Sequence, residues 1–321
     1  MAENILNLLK KNTDYCSGAK ISAEMGITRA AVWKKISALR KKGFIIEAVP
    51  SKGYRLVSAP DLSADYIKSA VQGGLLKDII VYDRVASTNE LAMSVAAKSN
   101  LWVNSVIIAD SQERGKGRLG RKWVSPPGKN IYMSILLRPG LETRDATMLT
   151  LLTAVACAHA IRKISGLPVS IKWPNDLVLA GKKLGGILTE IRADIDRIHL
   201  AVIGIGINVN TGVEDFAEEI RPIATSIKEG SKKYTSRNEL IVEILKQFDY
   251  FYGILIKKGK HLLLSEWKDL SSTIGKEVIA VIGDETVTGL AEDIDDNGML
   301  ILKLRSGLRR QISSGDITHL R

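Results

Sequence analysis

Between Gln112 and Trp123 the chain reads Gln-Glu-Arg-Gly-Lys-Gly-Arg-Leu-Gly-Arg-Lys-Trp, with three glycines and five basic side chains ahead of one tryptophan. Such a segment is suited to closing around an anion, because backbone N–H groups next to glycine and the guanidinium forks of arginine together surround a phosphate or carboxylate. Its glycines argue against a stable helix or strand, so it is expected to be a mobile cationic lid. The spacing Gly115-x-Gly117-x-x-Gly120 matches a dinucleotide fingerprint, but that motif requires a following helix, and Pro126-Pro127 forbid one. No Gly-Lys-Ser/Thr closes the run, which excludes a P-loop. A solvated basic surface loop is the competing reading of this segment taken alone.

Four further clusters fall at strand ends or turns, where a rigid scaffold displays functional side chains. Ser87-Thr88-Asn89 suits either a helix N-cap or ligand contact. Lys172-Trp173-Pro174-Asn175-Asp176 ends an apolar strand with a cation, a rigid turn and an acidic tip; Asp176 is suited to Mg²⁺ beside a triphosphate, and an Asx-type turn is the alternative. Leu177 to Leu188 reads as a hairpin whose parity puts Lys182 and Lys183 on opposite faces. Lys183 is expected to point inward, sharing a face with Gly185, and an inward lysine calls for a negatively charged ligand. Gly204-Ile205-Gly206-Ile207-Asn208-Val209-Asn210 ends a strand with two amides; Asn208 either recognises a base or caps a tight turn.

The elements that must position these clusters are legible from periodicity. Strands are expected near 79–85, 105–110, 131–137, 169–173, 184–191 and 198–207, with helices at 88–97, 147–164 and 238–257 between them, an α/β or α+β arrangement with one sheet covered by helices. Beyond 270, Val278–Val281, Thr286–Ala291, Met299–Lys303 and Arg309–Ile312 read as short strands of a separate β module. With 321 residues, 45% hydrophobic content and a mean hydropathy of +0.04, the chain is expected to be a soluble globular protein of two or three domains. Cys16 and Cys157 offer no disulfide framework and no metal-ligand spacing, so a reducing cytoplasm is the expected location. The longest apolar run, Ala146 to Ala160, falls short of the roughly 18 residues of a membrane span and reads as a buried helix.

The net charge is +11, and in residues 1–60 eleven Lys/Arg stand against four Asp/Glu, so most of the excess lies there. Two short apolar-periodic stretches, the second stopping at Gly26, precede a third that starts after Thr28 and puts Val32, Ile36 and Leu39 on one face, with basic residues elsewhere. Helix, glycine turn and basic helix is the helix-turn-helix order, and the two strand-like runs around Pro50-Ser51 make a wing. Arg29, Ala30, Trp33 and Lys34 in the third helix and Lys52 in the wing are the candidate DNA contacts, although for Trp33 packing under the wing is the favoured reading, since lone aromatics are usually core residues. A protein-binding module with a solvated basic face is the alternative.

Taken in order, Gly-Lys-Gly-Arg-x-Gly-Arg-x-Trp, Lys-Trp-Pro-Asn-Asp, Lys-Leu-x-Gly-Ile-Leu and Gly-Ile-Gly-Ile-Asn-Val-Asn closely resemble the biotin protein ligases over residues 80–227. With the winged helix added, the whole chain resembles the family's bifunctional form, both ligase and biotin operon repressor. The resemblance implies an α+β fold in three parts: a winged helix-turn-helix in 1–60, a mixed-sheet catalytic domain of the biotin/lipoate ligase type in 61–270, and an SH3-like barrel in 271–321. It implies that biotin and ATP form biotinyl-5′-adenylate, which then biotinylates a lysine of the biotin carboxyl carrier protein of acetyl-CoA carboxylase. Lys183 and Arg118 would be catalytic; Arg118, Arg121 and Lys183 would neutralise carboxylate and phosphate charge, with Mg²⁺ near Asp176, and Lys172 would be a further cofactor-binding residue. Ser87, Thr88, Gln112, Gly115 and Gly186 would contact the biotin ureido ring, Trp123 would cover the valeryl chain or the nucleotide, and Asn175 and Asn208 would hold the adenylate, with Thr211 to Thr225 its outer wall; Asn89, Lys116 and Gly117 would be further cofactor-binding residues. Operator DNA and a homodimer formed with biotinyl-5′-adenylate are the implied partners, with no membrane. Lys116 departs from the family's usual arginine and lacks its bidentate fork. A lipoate-type ligase and a non-catalytic ligand-responsive repressor are the rival readings.

Overall fold

The structure is a computed structural model that describes residues 5–12, 14–98, 103–313 and 315–319. Its contacts divide the chain into two units, Met1–Gly73 and Gly74–Arg321.

In the first unit, helices begin where side chains can cap them. α1 (Ile5–Lys11) is followed by α2 (Gly18–Met25), whose N-terminus is capped by Ser17 accepting from Lys20 N, and by α3 (Arg29–Lys41), where Thr28 accepts from Ala31 N. Gly26, at φ +61°, ends α2 and makes the turn. β1 (Ile45–Val49) and β2 (Gly53–Ser58) form the expected antiparallel wing. Ile5, Leu6, Ile21, Val32, Ile36, Leu39 and Ile46 share one core. The wing is tied to the helices by Cys16 and Tyr54, which exchange backbone hydrogen bonds of 2.8 and 2.9 Å. A further helix, α4 (Ala64–Ala70), follows and was not expected from the sequence.

In the second unit, β3 (Asp78–Val85), α5 (Thr88–Lys98), β4 (Ser105–Gln112), β5 (Ile131–Leu137), α6 (Ala146–Ser165), β6 (Ser170–Lys172), β7 (Asp176–Leu179), β8 (Lys182–Ala193) and β9 (Ile198–Ile207) come in chain order. The seven strands form one sheet, ordered β3-β4-β5-β9-β8-β7-β6, with β3 and β4 parallel and the remaining pairs antiparallel. The short α7 (Ile227–Ser231) precedes α8 (Arg237–Lys258) and α9 (His261–Leu270). Helix α6 runs 20 residues, longer than the apolar run suggested, and by length and composition passes for a membrane span. Its buried residues, Met148 to Ile161, lie in the protein core, where α8 and α9 pack on it.

The C-terminal strands β10 (Glu277–Ile282), β11 (Glu285–Ile294), β12 (Leu300–Leu304), β13 (Arg309–Ile312) and β14 (Asp316–His319) make a five-stranded antiparallel sheet. The fifth strand was not read from the sequence. Buried Trp173 anchors this sheet to the rest of its unit, its backbone N–H donating to Thr273 Oγ1 at 3.0 Å and its indole N–H to Gly298 O at 3.0 Å.

Candidate functional site

The floor of the site is a strip of sheet stripped of side chains. Gly186 pairs with Gly206 and Gly206 with Tyr132; one row along, Leu188 pairs with Gly204 and Gly204 with Ser134. The bareness is required by close neighbours. A Cβ on Gly206 would lie 2.8 Å from the Trp123 indole, and one on Gly204 would lie 2.4 Å from Asn89 Oδ1. The glycines therefore let an aromatic ring and an amide rest directly on the strands.

One wall is polar and interior. Ser87, Thr88 and Asn89 are all buried. The capping reading is seen only weakly, with Ser87 Oγ 3.5 Å from Glu90 N at the start of α5. Thr88 N donates to Gln112 Oε1 at 2.9 Å, Gln112 Nε2 donates to Ser125 Oγ at 3.0 Å, and Asn89 Nδ2 donates to Glu190 Oε2 at 2.7 Å. The Ser134 hydroxyl donates to Asn89 Oδ1 at 2.6 Å and lies 2.7 Å from Thr88 Oγ1. Ser134, Ser125 and Glu190 were missed in the sequence because strand register, rather than any local motif, brings them here.

The opposite wall is cationic. Lys183 Nζ is 2.6 Å from Asp176 Oδ1 and 5.7 Å from the centroid of the Trp123 ring. The expectation that Lys183 shares a face with Gly185 is corrected by a bulge: Leu177 pairs with Gly185 but Val178 pairs with Lys183, so Leu184 is the extra residue and parity flips. Gly186 is Lys183's neighbour instead, the site of its missing Cβ lying 3.5 Å from Lys183 Cε. The anion that an inward lysine called for is supplied by the protein, as Asp176.

Lys172 is the cation left over. It is half-buried at the end of β6 and has no ion-pair or hydrogen-bond partner for its ammonium among the described residues. Burial pushes its pKa below the usual lysine value, Asp176 pulls it back up, and Lys183 depresses it further. Arg118 is also depressed by burial; it donates to two neutral oxygens, Asn175 Oδ1 at 3.0 Å and Gly315 O at 3.4 Å. Asn175 in turn donates to Ile187 O at 2.7 Å. Arg121 pairs with Asp316 of β14. Among the described residues no group of three or more His, Cys, Asp or Glu is arranged to hold a metal.

The lid is more ordered than its glycines suggested. Trp123 N donates to Gly115 O at 2.8 Å and Gly117 N to Arg121 O at 2.7 Å, so the segment folds back on itself as a narrow hairpin with a 3-10 turn at Arg118–Gly120. Gly115 is forced by this pairing, since a Cβ there would lie 2.3 Å from Trp123 O. Lys116 turns away from the cationic wall to Glu90, 2.5 Å distant. The Trp123 indole N–H is buried against the bare strands and has no acceptor, an unsatisfied donor inside the site. Asn208 spends its amide on Thr225 O at 3.0 Å, and Thr225 N donates to Lys183 O at 2.9 Å; together these hold the 211–225 segment against the edge of β8.

In the N-terminal unit Arg29, Ala30, Trp33, Lys34 and Lys52 are all exposed. Packing of Trp33 under the wing is overturned, because its side chain is 62% exposed. Val32 and Ile36 take the buried face of α3, which leaves position 33 outward.

Profiles of known families account for each part of this architecture: the HTH domain matches residues 2–55, the Biotin/lipoate A/B protein ligase family 81–208, and the Biotin protein ligase C terminal domain 273–320. Bifunctional ligase/repressor BirA of Bacillus spizizenii is 38% identical over 95% of this chain and 94% of its own length. The chain belongs to the bifunctional biotin ligase/repressor family. BirA of Escherichia coli is 31% identical over 97% of this chain and 94% of its own length. A solved structure of the biotin protein ligase from Aquifex aeolicus in complex with biotin and ATP shares 29% identity, with a TM-score of 0.66 over 76% of this chain and 99% of that one. The ligase-family match contains the polar wall, the lid, the cationic wall and Asn208, whereas Gly315 and Asp316, which hold the lid arginines, fall in the C-terminal match.

Proposed function

We propose that this protein is an ATP-dependent biotin ligase that joins biotin to a lysine of biotin carboxyl carrier protein, and a biotin-responsive repressor of biotin genes acting through its winged helix. The observation that carries the catalytic half is Lys172, a half-buried ammonium with no ion-pair contact among the described residues and only the more distant charges of Asp176 and Asp316 to balance it, standing with Lys183 and Arg118 near the Trp123 ring. Such a cation wall fits a reaction in which two anions must meet.

In the first step a biotin carboxylate oxygen attacks the α-phosphorus of ATP; a C(O)–O–P bond forms, the Pα–O bond to the β-phosphate breaks, and pyrophosphate leaves. Lys172, Lys183 and Arg118 neutralise the carboxylate and phosphate charge as they approach. In the second step the neutral amine of the acceptor lysine attacks the carbonyl carbon, an amide forms and AMP leaves with the bonding pair. Gln112, Thr88 and the indole N–H of Trp123 supply donors and acceptors for the ureido ring, and Asn175 and Asn208 border the nucleotide. The hairpin lid excludes water from the anhydride. Asp176, paired with Lys183, would be the residue to hold an Mg²⁺ ion, which would supply further neutralisation of the phosphate charge.

We assign 1–60 to DNA binding, 61–270 to catalysis and 271–321 to support of the lid and the acceptor. The exposed face of Arg29, Ala30, Trp33, Lys34 and Lys52 meets operator DNA, two copies acting as a homodimer once biotinyl-5′-adenylate is bound, in the cytoplasm and without a membrane. Biotin is preferred over lipoate because the matched relatives and the C-terminal match carry biotin ligase names. Incubating the protein with biotin, MgATP and the isolated carrier domain tests the assignment: the carrier should gain the mass of one biotinyl group on one lysine, and an unmodified carrier would refute it.

A further inference from the structure

Glu90 lies in the first turn of α5, and its carboxylate is shared by two lid cations, Lys116 at 2.5 Å from Oε1 and Arg114 at 3.2 Å from Oε2. Neither cation has another carboxylate partner among the described residues. The backbone around them is already fixed to the same region: Arg114 N donates to Ala86 O at 2.8 Å and Thr88 N to Gln112 Oε1 at 2.9 Å. The lid is therefore held in two places by different means. Its tip rests on Arg118 and Arg121, which face Asn175, Gly315 and Asp316. Phosphates arriving in the recess compete for those two guanidiniums, but Lys116 and Arg114 have their counter-charge beside them, at the stem.

We propose that Glu90 is a positioning residue for the lid: it clamps Arg114 and Lys116 to α5 and so sets how often the hairpin swings open and how long the acyl-adenylate is retained. It acts without touching the intermediate. The proposal rests on the ligase reading above and adds to it a residue outside the binding machinery. The clamp remains charged through the neutral range, because the hydrogen bond from Lys116 above all, together with that from Arg114, holds the Glu90 carboxyl below its usual pKa. Partly exposed pairs of this kind are weak and screened by salt, which suits a latch that must open in each cycle.

The test uses the full chain, loaded with biotin and MgATP and then freed of excess, with escape of the adenylate followed by filter retention. Glu90→Gln should release it about two- to fivefold faster than the wild type, with biotin-dependent pyrophosphate exchange unchanged. Lys116→Gln should accelerate escape similarly, and the double variant should be no faster than the faster single one. Raised ionic strength should bring the wild type toward the Glu90→Gln rate. Wild-type escape from Glu90→Gln, or additive effects in the double variant, would overturn the proposal. Trypsin cleavage within 114–122 of the ligand-free chain reads lid opening independently of any substrate and should be faster in Glu90→Gln. A wild type that makes no adenylate would refute the ligase reading, whereas equal trypsin rates in variants with unaltered melting temperatures would refute the latch.

Discussion

Lys183 and Asp176 meet across a bulged strand pair, Nζ to Oδ1 2.6 Å, so the most recognisable lysine of the site is already neutralised by its neighbour. The consequence is that Lys172, opposite Asp176 on β6, is left without an ion-pair contact of its own among the described residues. A site whose cations were all paired would gain little from an anionic ligand; here an anion would relieve a desolvated ammonium.

Lys172→Met should therefore separate stability from chemistry. Removing a half-buried ammonium that lacks a partner leaves the melting temperature unchanged or slightly raised. Biotin-dependent pyrophosphate exchange should fall by about 10²-fold, the usual effect of deleting one charge-stabilising donor. A full-rate Lys172→Met enzyme would move the burden to Lys183 and Arg118.

The depressed Lys172 also predicts a pH dependence with a definite sign. Burial, reinforced by Lys183, places its folded pKa below the ordinary value of 10.5, while a bound phosphate favours the ammonium and raises it. Nucleotide binding should thus weaken as pH rises through the lowered pKa, and binding at pH values between the free and the nucleotide-bound pKa should take up a proton. In the free protein the unfolded chain binds more protons between the lowered folded pKa and 10.5, so this group's contribution to stability rises with pH there. Calorimetric titration with ATP in buffers of different ionisation enthalpy measures the uptake; proton release would contradict the assignment.

Gly206→Ala probes the bare floor. The new Cβ would stand 2.8 Å from Trp123 Nε1 and Cε2, so the indole must lift from the sheet. Overpacking of this kind costs about 1–3 kcal/mol. Chemical denaturation should show that loss, together with weaker biotin binding and a change in Trp123 fluorescence; wild-type values for all three would show that the ring does not rest on Gly206.

Gly53→Ala should damage one function and spare the other. Gly53 has φ +113°, and an added Cβ would fall 2.2 Å from Cys16 O, at the junction of wing and helices. The wing must detach or the N-terminal unit unfold. Operator binding in a gel-shift assay should be lost while carrier biotinylation proceeds at the wild-type rate; joint loss of both would show that the two units fold as one.

Much of this architecture was legible in the sequence because long periodic segments report their own burial. β5 at Ile131–Leu137 and β9 at Ile198–Ile207 were read to the residue, and the helix-turn-helix followed from caps at Thr28 and Gly26. The lid, Asp176 and Lys183 could be named from residue type and order. What could not be read was set by pairing between distant segments. One extra residue at Leu184 reversed the parity argument for Lys183, the β5 register delivered Ser134, and β14 brought Asp316 to Arg121. Trp33 was misjudged for a different reason, since its placement follows from which of its neighbours the α3 core selects.

The central claim is that the recess couples biotin to ATP, and biotin-dependent exchange of labelled pyrophosphate into ATP, with lipoate and octanoate run in parallel, tests it most directly. The account predicts exchange with biotin and none above background with the other two acids. Exchange that requires lipoate or octanoate, or no exchange with any of them, would contradict it.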